Sequence, residues 1–162
     1  MSLRYFFAAL ALAVATHAGA TEVGMAAPDF DLKGANGPVK LSAMRGKVVY
    51  VDFWASWCGP CKQSFPWMNE MQAKYGAQGL TIVGINVDKK RADADGFLAG
   101  TPAKFTVAYD EQGTTPTAYK IKGMPSSYLV DRDGKVIATH AGFRDDERGK
   151  LEAKLRAALG IK

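Results

Sequence analysis

The residues best suited to chemistry in this sequence are two cysteines, Cys58 and Cys61, which are separated by Gly59 and Pro60. They are the only cysteines among the 162 residues of the chain. A bridge between them closes a very short loop, which stabilises a fold by only about 2 kcal/mol in the chain-entropy estimate. A bridge that served stability would close a longer loop, so the spacing favours reversible thiol–disulfide chemistry over an inert structural disulfide.

The surroundings of the pair predict a different role for each thiol. An apolar run at 47–54 predicts a buried strand before the pair, and apolar residues at helical spacing predict a helix after it. Cys58 then falls where the helix begins, and unpaired N–H groups and the helix dipole stabilise a thiolate there. Pro60 suits the first turn, which needs no backbone donor. We therefore predict that Cys58 is the nucleophile and that Cys61 is the buried thiol that resolves the mixed disulfide.

The remaining segments predict one α/β domain around this site. Asn36-Gly37, in a polar gap between two short extended segments, suggests an N-terminal hairpin. Further strands are predicted at 80–87, 105–109, 127–130 and 135–140, and helices at 62–75, 88–100, 116–119 and 145–159. Alternation of strands and helices, followed by a hairpin and a helix, is typical of a parallel or mixed sheet that helices cover on both faces.

The first twenty residues have the pattern of a secretory signal peptide. Arg4 supplies the positive charge, 5–15 the apolar region, and Ala18-Gly19-Ala20 the cleavage site. About a dozen apolar residues fall short of the roughly 20 that a spanning helix needs, which disfavours the alternative of an uncleaved membrane anchor. We expect cleavage after Ala20 and a mature domain at 21–162 in an oxidising compartment.

Charge and residue content exclude other classes of function. The formal charge is +5, but the basic residues are scattered and are not interleaved with aromatic residues, so nucleic acid is not an expected partner. Structural zinc needs four Cys or His ligands. Beyond the predicted leader, His140 is the only histidine that accompanies the two cysteines, and its position at a strand end predicts a surface residue. We predict no metal site.

Several segments together resemble the thioredoxin superfamily. The segment 49–62, with its Trp-Cys-Gly-Pro-Cys motif, looks like the active-site segment of thioredoxin, and 80–88 looks like the strand that follows. Residues 123–125 resemble its cis-proline loop. The leader, the N-terminal hairpin and the additional helix and strand at 88–109 make the chain similar to the exported TlpA/ResA/DsbE-like branch. The resemblance implies a thioredoxin fold with an N-terminal β-hairpin and an inserted helix–strand segment.

The same resemblance implies a role for Asp52, which stands six residues before Cys58 in an otherwise apolar strand. Thioredoxins use the matching aspartate to accept and donate the proton of the buried cysteine, here Cys61. Burial of an unpaired carboxylate is costly and raises its pKa. The thioredoxin strand carries a lysine that faces this aspartate, and Gly84 takes its position here. What balances the charge of Asp52 is therefore an open question for the structure.

The resemblance also implies a substrate-binding surface around the cysteines. It assigns substrate contacts to Trp57, Gly59 and Pro60, and it implies that Pro125 is cis and lies beside the disulfide. The backbone of Met124 then pairs with an extended segment of the substrate, as in strand addition.

Members of that branch are extracytoplasmic enzymes. They reduce disulfides in apocytochrome c or in metal-site proteins, and a membrane thiol electron donor re-reduces them. The resemblance thus implies a periplasmic, monomeric reductase of disulfides in exported proteins, without a cofactor. In this family a Gly-Pro spacer between the two cysteines, here Gly59-Pro60, is typical of the reducing members.

Other functions stay open at this point. The same thiols serve an oxidase or isomerase when the redox potential is tuned. A copper- or haem-delivery module would hold cargo on the two thiolates, with His140 as a possible third ligand for Cu(I). A peroxiredoxin needs a proline and a threonine ahead of the attacking cysteine, and 53–57 contains neither.

Overall fold

Seven strands form one sheet in the computed structural model, which describes residues 22–162. The predicted signal peptide at 1–20 lies outside the described residues. The strands are β1 (Asp31–Gly34), β2 (Gly37–Lys40), β3 (Val48–Trp54), β4 (Leu80–Asn86), β5 (Thr106–Tyr109), β6 (Ser126–Val130) and β7 (Val136–Ala141). The helices are α1 (Gly59–Tyr75), α2 (Arg91–Gly100), α3 (Thr114–Ala118) and α4 (Arg148–Leu159), and short 3-10 turns lie at Leu41–Met44, Gly76–Gln78 and Asp145–Glu147.

The sheet is mixed, in the order β2-β1-β5-β4-β3-β6-β7. Strands β3, β4 and β5 are parallel to one another, whereas β6 is antiparallel to β3, and β7 is antiparallel to β6. The predicted α/β fold, hairpin and inserted helix–strand segment are all present, with element boundaries that differ from the predicted ones by a few residues. Among residues 22–162 no helix has the length and apolar character needed to cross a membrane.

Strand β3 lies at the centre of the sheet, and all seven of its residues are buried. Because side chains alternate along a strand, Tyr50, Asp52 and Trp54 share one face. This face, which we call the α1 face, packs against apolar residues of α1, α2 and α4. The opposite face of β3 packs against the N-terminal segment and the residue that follows α3. The helices on one face and the N-terminal segment on the other thereby shield from water the strand that precedes the cysteines.

The N-terminal hairpin is attached to the inserted strand. β1 pairs with β5 through Lys33↔Tyr109 and Gly34↔Ala108, so the insertion carries the hairpin at the edge of the sheet. A Cβ on Gly34 would lie 2.5 Å from the carbonyl oxygen of Gly37, which explains the need for glycine at this turn. Pro38 lies on the outermost strand, where a missing backbone donor is tolerated.

A side chain of α1 pairs with part of a strand edge. β5 covers β4 only from Val83 onward, which leaves the first residues of β4 without a strand on that side. The amide of Gln72 fills this position: its Nε2 donates to the carbonyl oxygen of Leu80 at 3.2 Å, and its Oε1 accepts from the N–H of Ile82 at 2.7 Å. The side chain therefore makes the two hydrogen bonds that a neighbouring strand would make.

Candidate active site

Cys58 and Cys61 are joined by a disulfide at the start of α1, with a Cα–Cα distance of 5.3 Å. Cys58 has an extended backbone and precedes the first helical residue, as predicted. The N–H of Cys61 donates to the Sγ of Cys58 at 3.3 Å. The structure thus directs a backbone donor of the first helical turn at the sulfur of Cys58, and such a donor stabilises a thiolate.

Exposure distinguishes the two sulfurs. Cys61 is completely buried, whereas Cys58 is 5% exposed and borders a groove of about 290 Å³ between the start of α1 and helix α2. Trp57 is 71% exposed beside it. Gly59 and Pro60 are exposed as well. An incoming thiol or disulfide therefore reaches Cys58 first, which agrees with the nucleophilic role predicted for it.

The Met124–Pro125 peptide is cis, as the resemblance implied. The loop is anchored on both sides, since Gly142 donates to the carbonyl oxygen of Pro125 at 2.8 Å and the Ser126 hydroxyl to that of Gly123 at 2.6 Å. β6 begins opposite Phe53, so the loop lies at the end of the sheet where β3 leads into the cysteines. A second groove, of about 330 Å³, runs along it. This end of the sheet thus offers an exposed indole and a groove beside Cys58, and a second groove along the cis-proline loop.

Asp52 is buried on the α1 face, with 2% of its surface exposed. Its Oδ2 makes no hydrogen bond to any described residue. Burial raises the pKa of Asp52 well above its ordinary value of 3.8. The carboxyl lies under α1, whose first turn carries the buried Cys61. The pKa of a general base for a thiol should lie near that of the thiol, and the shift of Asp52 is in that direction.

Aromatic side chains take the place of a cation beside Asp52. Gly84 is the register partner of Asp52 on β4, as expected from the resemblance. A Cβ on Gly84 would lie 2.8 Å from Phe105 Cε2 and 3.2 Å from Trp54 Nε1. Trp54 in turn packs edge-on against Phe65. These rings fill the space of the thioredoxin lysine, so desolvation acts on Asp52 without an opposing cation among residues 22–162.

We expect Gly84→Ala to destabilise the protein by about 1–3 kcal/mol, because the new methyl group meets a packed aromatic ring. Urea unfolding of the oxidised protein measures this change. Gly96→Ala is the matched control, since a Cβ there meets nothing within 4 Å and alanine favours the helix. Equal stabilities for the two variants would contradict the close packing at Gly84.

A hydrogen-bonded group that the sequence analysis did not identify holds the loop before the cysteines. The carboxylate of Asp88 accepts from the Ser56 N–H at 2.9 Å and from the Ser56 hydroxyl at 3.0 Å. It also accepts from Asn86 Nδ2 at 2.7 Å. These bonds tie the loop to the end of β4 and so position Trp57 and Cys58. The only signal in the sequence was the polar residues Asn86 and Asp88 at the end of a buried strand.

His140, which was predicted to be a surface residue, is only partly exposed. It lies on β7 opposite Ser127, on the α1 face, and only 17% of its side chain is exposed. Its Nε2 is buried and makes no hydrogen bond within the described part of the chain, although Glu147 Oε2 lies 3.5 Å away. Its partial burial was not predicted because helix α4, whose residues lie beside it, is remote in the chain. Among residues 22–162 no group of three or more His, Cys, Asp or Glu side chains is placed to hold a metal ion.

Comparisons with known proteins agree with this geometry. A family model described as Redoxin matches residues 22–158. The thiol-disulfide oxidoreductase ResA of Bacillus thuringiensis subsp. konkukian is 35% identical over 130 residues, which cover 78% of this chain and 74% of that protein. ResA of Geobacillus kaustophilus is 35% identical over 143 residues, 85% of this chain and 81% of that protein. A DsbE-type thiol:disulfide interchange protein from Chlorobium tepidum superposes with a TM-score of 0.84 at 58% identity, over 86% of this chain and 99% of that one.

Proposed function

The chain belongs to the Redoxin family, among the thioredoxin-fold thiol–disulfide oxidoreductases of the TlpA/ResA/DsbE type, and from this premise we propose that it is an exported reductase of protein disulfides. The leader at 1–20 supports export to the periplasm, with cleavage after Ala20. The observation that carries the catalytic proposal is the asymmetric pair: Cys58 borders a groove at a helix start, and Cys61 is completely buried on the helix that covers the sheet face of the uncompensated Asp52.

In the proposed reaction the Cys58 thiolate attacks a disulfide of the substrate. The substrate S–S bond breaks, one substrate thiolate leaves, and a mixed disulfide links Cys58 to the other substrate sulfur. Cys61 then gives its proton to ionised Asp52, and its thiolate attacks the Sγ of Cys58. The second substrate thiolate departs, and the enzyme disulfide remains. Two electrons pass from the enzyme dithiol to the substrate.

The proposed substrate surface follows from the same arrangement. Trp57, Gly59 and Pro60 flank the attacking sulfur, and the backbone of Met124, before cis Pro125, pairs with an extended segment. Such a surface suits an exported chain that is not fully folded, such as apocytochrome c or a metal-site protein before it takes up its metal. An oxidising compartment lacks a reducing thiol pool, so we propose that a membrane thiol donor restores the dithiol.

The redox potential tests the direction of the reaction. We expect the Cys58–Cys61 couple to lie nearer to thioredoxin, at about −270 mV, than to the oxidant DsbA, at about −120 mV. Equilibration of the purified protein with glutathione buffers, followed by alkylation of the remaining thiols, measures it. A potential near that of DsbA would overturn the reductase assignment in favour of an oxidase.

A further inference from the structure

A row of polar residues crosses the α1 face of the sheet. Asp52 on β3 is the register partner of Ser127 on β6, and Ser127 is the register partner of His140 on β7. Residues that pair directly across strands point to the same face, with Cβ atoms about 4.5–5.5 Å apart. The row therefore leads sideways from the buried carboxyl of Asp52 toward the outer strand of the sheet.

Two buried hydroxyl groups form the middle of the row. Tyr50 lies two residues before Asp52 on the same face, and its hydroxyl and that of Ser127 are 2.7 Å apart. Burial first, and then the charge of Asp52, raises the pKa of Tyr50. Its hydroxyl therefore stays protonated, and it can pass a proton on only by accepting one at the same time. A pair of such hydroxyls is suited to relaying a proton without storing it.

A small cavity joins these hydroxyls to His140. Its volume is about 10 Å³, and its lining includes Tyr50, Ser127 and His140 together with leucines of β6 and α4. A polar cavity of roughly 10–15 Å³ accommodates one water molecule when two to four hydrogen-bonding groups surround it. Three such groups lie among leucine and alanine side chains in the lining, and the volume is at the lower limit for one water molecule.

His140 leads from the cavity to the surface. Its buried Nε2 lies 3.5 Å from Glu147, whose carboxylate is partly exposed. Tyr50 of β3 and Lys154 of α4 also line this cavity, and Asp52 lies on the same face of the sheet, two strands away from His140. An imidazole accepts a proton at one nitrogen and releases one from the other, which suits the last position of a relay.

We propose that Ser127, Tyr50 and His140 form a route through which Asp52 exchanges its proton with solvent. The inference rests on the acid–base role of Asp52 in the proposed function. When a substrate is bound through Cys58 it covers the exposed side of the site, while Cys61 is completely buried behind it. The proton that Asp52 takes from Cys61 then leaves along the sheet through His140, which borders the groove beside the cis-proline loop. The carboxyl regenerates its anion, the relay carries one proton outward, and the departing substrate thiolate gains one from solvent.

The test compares turnover in weak and strong buffer, with insulin as the disulfide substrate and dithiothreitol as the electron donor. We expect His140→Ala to turn over about tenfold more slowly than the wild type in weak buffer, and added imidazole to restore the rate. Ser127→Ala and Tyr50→Phe should be slowed similarly. Tyr119→Phe is the control: it removes a buried hydroxyl that donates to the Pro28 carbonyl on the opposite face, and its rate should be unchanged.

The outcomes separate this route from the proposed function. Wild-type rates for the His140, Ser127 and Tyr50 variants, beside a slow Asp52→Asn, would overturn the route and leave the role of Asp52 intact. A slow His140→Ala that imidazole does not rescue would also overturn it, because the histidine would then act through packing. If Asp52→Asn itself turned over at the wild-type rate, the acid–base role in the proposed function would fail first.

Discussion

Cys58→Ser is expected to abolish the reduction of protein disulfides, with a loss on the order of 10⁴-fold or more, whereas Cys61→Ser should leave the protein covalently joined to its substrate. The reason is the geometry of the pair. Cys58 borders the open groove and receives the N–H of Cys61, and Cys61 is buried behind it. Without Cys61, no internal thiol attacks the mixed disulfide, which therefore accumulates on Cys58.

Expression of Cys61→Ser with its leader, followed by acid quenching, alkylation and non-reducing electrophoresis, reveals such adducts, and mass spectrometry identifies the partner. Cys58→Ser is the matched control, because its one remaining thiol, that of Cys61, is buried. Adducts that are absent from Cys61→Ser, or equally abundant in both variants, would contradict the assignment of the nucleophile. The partners recovered would also identify the substrate class.

Asp52→Asn is expected to slow the resolution of the mixed disulfide by about 10²-fold, the lower end of the contribution of general acid–base catalysis. Asparagine has the shape of aspartate but accepts no proton from Cys61. In the wild type the rate should rise with pH as Asp52 ionises through its raised pKa, and the variant should lose this inflection. Stopped-flow tryptophan fluorescence across mildly acidic to mildly alkaline pH measures both effects.

The same variant should alter the dependence of stability on pH. The pKa of Asp52 is higher in the folded than in the unfolded protein, so between the two values the folded state holds a proton that the unfolded state has lost. The free energy of unfolding of the wild type therefore falls as pH rises, by at most about 1.4 kcal/mol per pH unit from this group. Asp52→Asn should lack this contribution and gain relative stability at higher pH.

Asp110→Asn is the matched control for both measurements. Asp110 is also buried, but its carboxylate accepts hydrogen bonds from the N–H groups of Gly113 and Thr115. Its substitution should lower stability without moving the inflection of the rate. An unchanged pH profile in Asp52→Asn, or the same change in both variants, would remove Asp52 from the mechanism.

Local patterns were sufficient to predict most of this structure. The apolar run of β3, the proline in the first turn of α1 and the order of the later strands each depend on near neighbours in the chain. The disulfide followed from the spacing of two residues. The cis peptide before Pro125 was predicted only through the family resemblance, because no local pattern distinguishes it from an ordinary turn.

Two features that depend on contacts between remote segments were not predicted. The partial burial of His140 arises because β7 pairs with β6 in one register and residues of α4 pack beside it. The replacement of a lysine by rings beside Asp52 needs Phe105, from the inserted segment, to reach across to Gly84. Sequence patterns predict which residues are buried in a strand, but they do not specify which remote side chains meet there.

The amide of Gln72 has a consequence for how the protein meets its clients. The substrates proposed for this protein are extended, incompletely folded chains, and such segments add most readily to a sheet edge and start aggregation. Gln72 occupies the donor and acceptor of the uncovered part of β4, and Pro38 interrupts the outermost strand. Backbone pairing with a client is thereby discouraged at these edges. The edges of the sheet that are remote in sequence from the cysteines thus offer few free backbone groups to another chain, which limits unproductive self-association.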